Sequence, residues 1–235
     1  MAGTPLHGVR PSHLLKVRPV LEWWADFMRR LAREWAPVRY GSKRDCPWWH
    51  LERTSVGFLS ATIWENGGEA IEEYGTDKKN KSRSRRSEIG YTQRGRGDLM
   101  FCVNKMWSKE NSFVAEAKQT YPSINATFKQ LKKRVEDRLG KARNDSSRTQ
   151  RYGYTRLGLL FLCPYTSNRE PTTAEIRDWI RNIIKVAEEL RADLAWSFPR
   201  IAQDLSDEDT GDHKDYFYPG VALLVKPLRA KNKAY

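Results

Sequence analysis

Between Gly95 and Thr120 the chain reads Gly-Arg-Gly-Asp-Leu-Met-Phe-Cys-Val, then a short polar turn, then Ser-Phe-Val-Ala-Glu-Ala-Lys-Gln-Thr. Apolar runs of strand length this close together bury their faces by folding back on each other, so 98–104 and 112–119 are expected to form an antiparallel hairpin. Side chains alternate along a strand. Glu116 and Lys118 therefore share a face with Val114, while Phe113, Ala115 and Ala117 take the other. Asp98 opens the neighbouring strand and so falls beside the end of the Glu116 strand. Two carboxylates and an amine then meet where the hairpin leaves the core. Close carboxylates repel unless they share a cation, and a hard, oxygen-seeking ion such as Mg²⁺ suits such a pair. Lys118 can orient or deprotonate an attacking water, or steady charge developing on a phosphate. The same groups also suit a salt-bridged set at a sheet edge.

The remaining segments supply the layers around this hairpin. Leu21, Trp24, Phe27, Met28, Leu31 and Trp35 recur at helical spacing and Pro37 ends that helix; residues 1–17 carry no period and are expected to be loose. Residues 52–66 read as a second helix stopped by Gly67-Gly68, and 69–75 as a short strand. A third helix is expected over 123–144 and a buried strand over 155–163. A fourth helix is capped by Thr172 or Thr173, and short strands follow at 195–198 and 221–225 around an acidic loop at 203–215. This order predicts an α/β fold with a mixed sheet of four to five strands flanked by helices. Residues 1–49 form a helical extension packed on a domain spanning 50–235.

Lys and Arg outnumber Asp and Glu by 42 to 29, a net charge of +13 that favours a polyanionic partner. Much of the excess is concentrated in 77–96, expected as a basic loop carrying Lys78, Lys79, Lys81, Arg83, Arg85, Arg86, Arg94 and Arg96 for phosphate contact. Lys129, Lys132 and Lys133 on the third helix add to it. The three cysteines are scattered and odd in number, which excludes a disulfide framework or a zinc quartet; Cys102 and Cys163 are expected as buried thiols. The four histidines lack ligand spacing, and no phosphate-binding Gly-rich loop ending in Gly-Lys-Ser/Thr occurs. Trp48 and Trp49 suit packing at a helix entry better than base stacking. Residues 1–19 lack an apolar signal core and nothing approaches a membrane span, so a cytoplasmic protein is expected.

Glu52 completes the constellation. At helical spacing it lies within the apolar stripe of Val56, Leu59 and Ile63, where a carboxylate calls for a cation or for the favourable field of a helix N-terminus. The pattern Asp98…Glu116-Ala117-Lys118, preceded by a helix bearing Glu52, resembles the PD-(D/E)xK superfamily of restriction-endonuclease-like nucleases across residues 50–165. Gly97 stands where many members have Pro. Asp77-Lys78-Lys79 and Asp212-His213-Lys214 spell the same three-residue pattern but follow no apolar strand with an acidic neighbour. The resemblance implies a restriction-endonuclease-like core, Asp98 and Glu116 as metal ligands supported by Glu52, Lys118 as the catalytic lysine, and Gln119 as a further polar residue toward nucleic acid. Mg²⁺, or Mn²⁺ in its place, is the expected cofactor and DNA the favoured substrate, with RNA open. Restriction, phage defence or repair would suit such an enzyme, alone, as a homodimer or beside a defence partner. The competing expectation is an inactive basic adaptor that binds nucleic acid within a larger assembly.

Overall fold

The computed structural model describes residues 4–10, 16–40, 43–79, 92–104, 107–108, 111–149, 153–167, 169–199, 204–206 and 215–228. The first half runs β1 (His7–Arg10), α1 (Arg18–Trp35), β2 (Arg39–Tyr40), β3 (Lys43–Arg44), α2 (Glu52–Glu65), β4 (Glu69–Lys79), β5 (Thr92–Cys102) and β6 (Ser112–Thr120). The second half runs α3 (Phe128–Arg148), β7 (Thr155–Leu162), β8 (Thr166–Ser167), α4 (Thr173–Leu190), β9 (Asp193–Ser197), β10 (Asp204–Ser206), β11 (Asp215–Phe217) and β12 (Val221–Pro227).

One mixed sheet of seven strands, ordered β1-β9-β12-β7-β6-β5-β4, organises the molecule. Its pairings are antiparallel except for β6 and β7, whose parallel register is bridged by α3. Alternation sorts the apolar side chains into two layers. Leu157, Leu159 and Phe161 of β7, with Leu223 and Val225 of β12, pack under α1 and α2. Leu160 and Leu162, with Ala222 and Leu224, pack under α3 and α4. Helix α1 shares its core with α2 and the sheet. Among the described residues no helix is long and apolar enough to cross a membrane.

Seven strands exceed the four or five expected, for reasons that hydrophobic pattern does not carry. Strand β1 lies in the segment expected to be loose and joins through backbone pairing with β9. Gly8 permits that approach, since a Cβ there would sit 2.7 Å from the Trp196 ring. Strands β4 and β5 extend past the apolar core through residues 77–79 and 92–96, which were expected in the basic loop. A hairpin already nucleated in the core can propagate its ladder along polar residues. The acidic segment similarly contributes β10 and β11 to a small sheet with β8. Cys46, Cys102 and Cys163 are buried, and none of them is joined in a disulfide among the described residues.

Helix α3 starts later than its periodicity suggests. A capping box between Thr127 and Gln130 sets its first turn. Residues 122–124 instead join Tyr165: Ile124 N donates to Tyr165 O at 2.8 Å and Tyr165 N donates to Pro122 O at 3.0 Å. Further along, α3 approaches the sheet over Gly158, which is in register with Glu116 of β6. A Cβ on Gly158 would lie 2.6 Å from Arg143 Cγ and 3.0 Å from the Arg143 backbone nitrogen. Gly158→Ala is therefore expected to push α3 away, costing about 1–3 kcal/mol and lowering the melting temperature by roughly 2–10 °C. An unchanged calorimetric melt would show that the contact is not limiting.

Candidate functional site

The site forms where β5 and β6 part. Their ladder runs from Cys102↔Ser112 to Leu99↔Ala115, after which β6 continues beside β7 to Thr120. The β5-facing amides of β6 beyond Ala115 consequently lose a strand partner, and buried amides must find another acceptor. Two carboxylates supply it. Ala117 N donates to Asp98 Oδ2 at 2.7 Å, and Gln119 N donates to Glu52 Oε2 at 2.9 Å. Asp98 thus lies next to the Glu116 end of β6, as the hairpin pattern requires. Glu52 reaches the same edge from the first turn of α2, where an acid suits the helix field.

Local backbone features position Asp98. The β4–β5 ladder pairs Glu72 with Leu99 and Tyr74 with Gly97. Between these pairs Glu73 stands opposite Asp98 with φ +47°, a left-handed conformation disfavoured for a residue with a Cβ. Its carboxylate meets Arg53 at 3.3 Å and Arg96 at 3.0 Å. Gly97 has a steric role, because a Cβ there would fall 2.3 Å from the Tyr74 ring. The residue before Asp98 is small so that Tyr74 can cover the strand.

Lys118 links the carboxylates to α3. Its amine donates to Ala117 O at 2.6 Å and lies 3.9 Å from Glu52 Oε1 and 3.6 Å from Asp145 Oδ2. Glu116, only 3% exposed, accepts from the Thr149 hydroxyl at 3.4 Å. Burial raises the Glu52 pKa above its ordinary 4.5, helped by the negative charge of Asp98 and opposed by Lys118, the Gln119 amide and Arg138. Among the described residues no three His, Cys, Asp or Glu side chains form a ready-made metal cluster. The oxygen donors Asp98 and Glu116 nevertheless match the chemistry of Mg²⁺ or Mn²⁺, and Mg²⁺ commonly takes one or two carboxylates and completes its shell with water and phosphate.

The expected nucleic-acid contacts are distributed differently from Glu52, Asp98, Glu116 and Lys118. Lys81, Arg83, Arg85 and Arg86 lie outside the described residues; the backbones of Lys78, Lys79 and Arg94 lie in the β4–β5 ladder. Arg96 is exposed beside the site, on Glu73. Gln119, expected toward nucleic acid, is buried: its side chain accepts from Ser55 Oγ at 2.8 Å and donates to His50 O and Tyr121 Oη at 2.5 and 2.6 Å. It fastens the chain before α2 to β6. Burial pushes the Tyr121 hydroxyl in this network up to about 12. Trp48 is fully buried, whereas Trp49 is half-buried and donates to Asp45 Oδ1 at 2.6 Å. Lys129 and Lys133 are exposed, and Lys132 is engaged by Glu189 at 2.8 Å. Asp145, Thr149 and Arg138 were not anticipated; no local motif marks them, and α3 brings them to the site by crossing β6. The chain matches no protein-family model, no curated protein and no solved structure.

Ionised Glu52 carries a desolvation cost in the fold. Its folded pKa is raised, so folding binds the proton more tightly than the unfolded chain does. The cost is full above the folded pKa and vanishes below the unfolded one, hence the carboxyl's contribution to stability falls as pH rises through that window. Glu52→Gln is expected to melt above wild type in neutral buffer, with the advantage shrinking as pH falls through 4.5. A pH-independent difference in the melts would remove this account of Glu52.

Proposed function

We propose that this protein is a metal-dependent nuclease with a restriction-endonuclease-like core, hydrolysing phosphodiester bonds in nucleic acid, DNA foremost. The observation that carries the reading is the meeting of Asp98, Glu52 and Lys118 at one unpaired edge of β6, beside the buried Glu116. Asp98 and Glu116 would hold Mg²⁺ or Mn²⁺, with Glu52 supporting it directly or through water. Such an ion supplies Lewis acidity toward the phosphate and lowers the pKa of a bound water. Lys118 orients the nucleophile or stabilises charge developing on the phosphate, and Asp145 and Glu52 hold its amine in place. Arg96, Lys129 and Lys133, with the basic residues between β4 and β5, would neutralise the phosphate backbone. Restriction, phage defence or repair in a prokaryotic or phage cytoplasm suits a basic nuclease of this size.

A second reading draws on the same hydrogen bonds. Asp98 and Glu52 satisfy edge amides of β6, a structural task that an inactive nucleic-acid-binding adaptor would equally need. Incubation with supercoiled and linear DNA, single strands and RNA, in Mg²⁺, Mn²⁺ or chelator, separates the two. The expected result is cleavage with either metal and none with chelator. Asp98→Ala and Lys118→Ala should each lower the rate by at least about 10²-fold, while binding in chelator stays close to wild type. Undiminished cleavage by both purified variants would end the mechanism; salt-sensitive binding without any cleavage would establish the adaptor.

A further inference from the structure

A groove of about 650 Å³ runs along α3 beside the 122–126 connection and Tyr165. Its charged lining comprises Lys133, Arg134, Arg138 and Lys141 against one acid, Asp137. Arg134, Arg138, Lys141 and Asp145 succeed one another at i, i+4, i+7 and i+11, which places them on one helical stripe. At 1.5 Å per residue that stripe is about 16 Å long. It ends at the carboxylate that pairs with Lys118, and Arg138 already acts electrostatically on Glu52. The helical stripe, rather than the groove wall itself, connects the groove residues Arg134, Arg138 and Lys141 with that carboxylate.

The charges in the groove differ from those elsewhere on α3. Lys132 is neutralised by Glu189 and Glu136, and Arg148 by Asp145. Among the described residues Lys133, Arg138 and Lys141 form no ion pair, although they share one concave surface. Arg134 is fixed in place by donating to Tyr121 O at 2.6 Å. Uncompensated cations held together in a recess raise each other's energy, and a bound polyanion removes that cost.

Tyr165 indicates the form of the polyanion. Its backbone is anchored to Pro122 and Ile124, and its half-buried ring packs edge-on against Tyr216 at 5.5 Å and tilted against Tyr218 at 6.2 Å. A rigid aromatic on the wall of a cationic groove is the arrangement that stacks an unpaired base while the cations follow its phosphates. In a duplex the base faces are already stacked on one another and cannot reach it. A volume of about 650 Å³ also suits a drug-sized segment of one strand.

We infer that the α3 groove takes one unpaired strand of nucleic acid leading to the cleavage edge, with a base stacked on Tyr165 and phosphates on Arg134, Arg138 and Lys141. The inference rests on the nuclease reading for what happens at that edge, but not for the binding itself. The test is fluorescence anisotropy in chelator, with a labelled oligothymidylate, an oligouridylate and a blunt duplex of equal length over a range of salt. Either single strand is expected to bind at least about tenfold tighter than the duplex. Tyr165→Leu should weaken single-strand binding about tenfold and leave duplex binding unchanged, while Tyr165→Phe keeps wild-type affinity. The double variant Arg138→Gln, Lys141→Gln should flatten the salt dependence for single strands by about 1.4. Unaltered melting and unchanged duplex binding of Tyr165→Leu confirm that it is folded.

Duplex binding as tight as single-strand binding would overturn the inference. So would groove variants that hold single strands like wild type while Lys118→Ala still abolishes cleavage, and that outcome leaves the nuclease reading standing. Groove-dependent single-strand binding by a protein that never cleaves supports the groove and removes the nuclease reading alone.

Discussion

Everything at the candidate site depends on the parting of β5 and β6 after Leu99 and Ala115. Had the ladder continued, backbone carbonyls of β5 would have taken the free amides of β6 and left no opening. Because it stops, Ala117 and Gln119 take side-chain carboxylates as acceptors, and Asp98 and Glu52 are drawn to one edge. The interruption is reinforced on the far side of β5 by Glu73, whose left-handed backbone breaks the β4–β5 ladder opposite Asp98. A demand for backbone hydrogen bonds therefore sets the positions of groups able to do chemistry.

The electrostatics follow from that arrangement. Burial at a partly dehydrated edge raises the Glu52 pKa, and the attraction of Lys118, which exceeds the repulsion from Asp98, opposes that rise without cancelling it. Glu116 is more deeply buried on the α3 face, beside Thr149. Negative potential is concentrated at the β6 edge and positive potential along the adjoining stripe of α3. A phosphodiester with a divalent cation at its reacting phosphate carries the complementary distribution, which gives the nuclease reading its physical coherence.

Much of the fold was legible from residue pattern. Apolar spacing located α1 and α2, and the continuous apolar run located β7, because each buries a periodic face. Alternation placed Glu116 and Lys118 on the face of Val114, and antiparallel pairing put Asp98 beside them. Pattern failed where backbone bonding rather than apolar burial builds the element. Strand β1, the outer halves of β4 and β5, and the β10–β11 pair have little periodic hydrophobicity to reveal them. The family resemblance suggested a nucleic-acid contact for Gln119, whose side-chain amide bonds Ser55, Trp48, His50 and Tyr121 within the fold.

The sequence by itself determined that a hairpin would carry two acids and a lysine to one end, that a helix would bear Glu52 within its apolar stripe, and that the chain would carry a strong net positive charge. Those properties depend on local spacing and composition, which are written along the chain. Only the tertiary structure decided that β5 and β6 would part after Leu99 and Ala115, that Gly158 would let α3 settle over Glu116, and that Asp145 and Arg138 would meet the site and Tyr165 the α3 groove. Such meetings depend on strand register and on the approach of one layer to another, and no local spacing along the chain encodes a distance between residues that packing alone brings together.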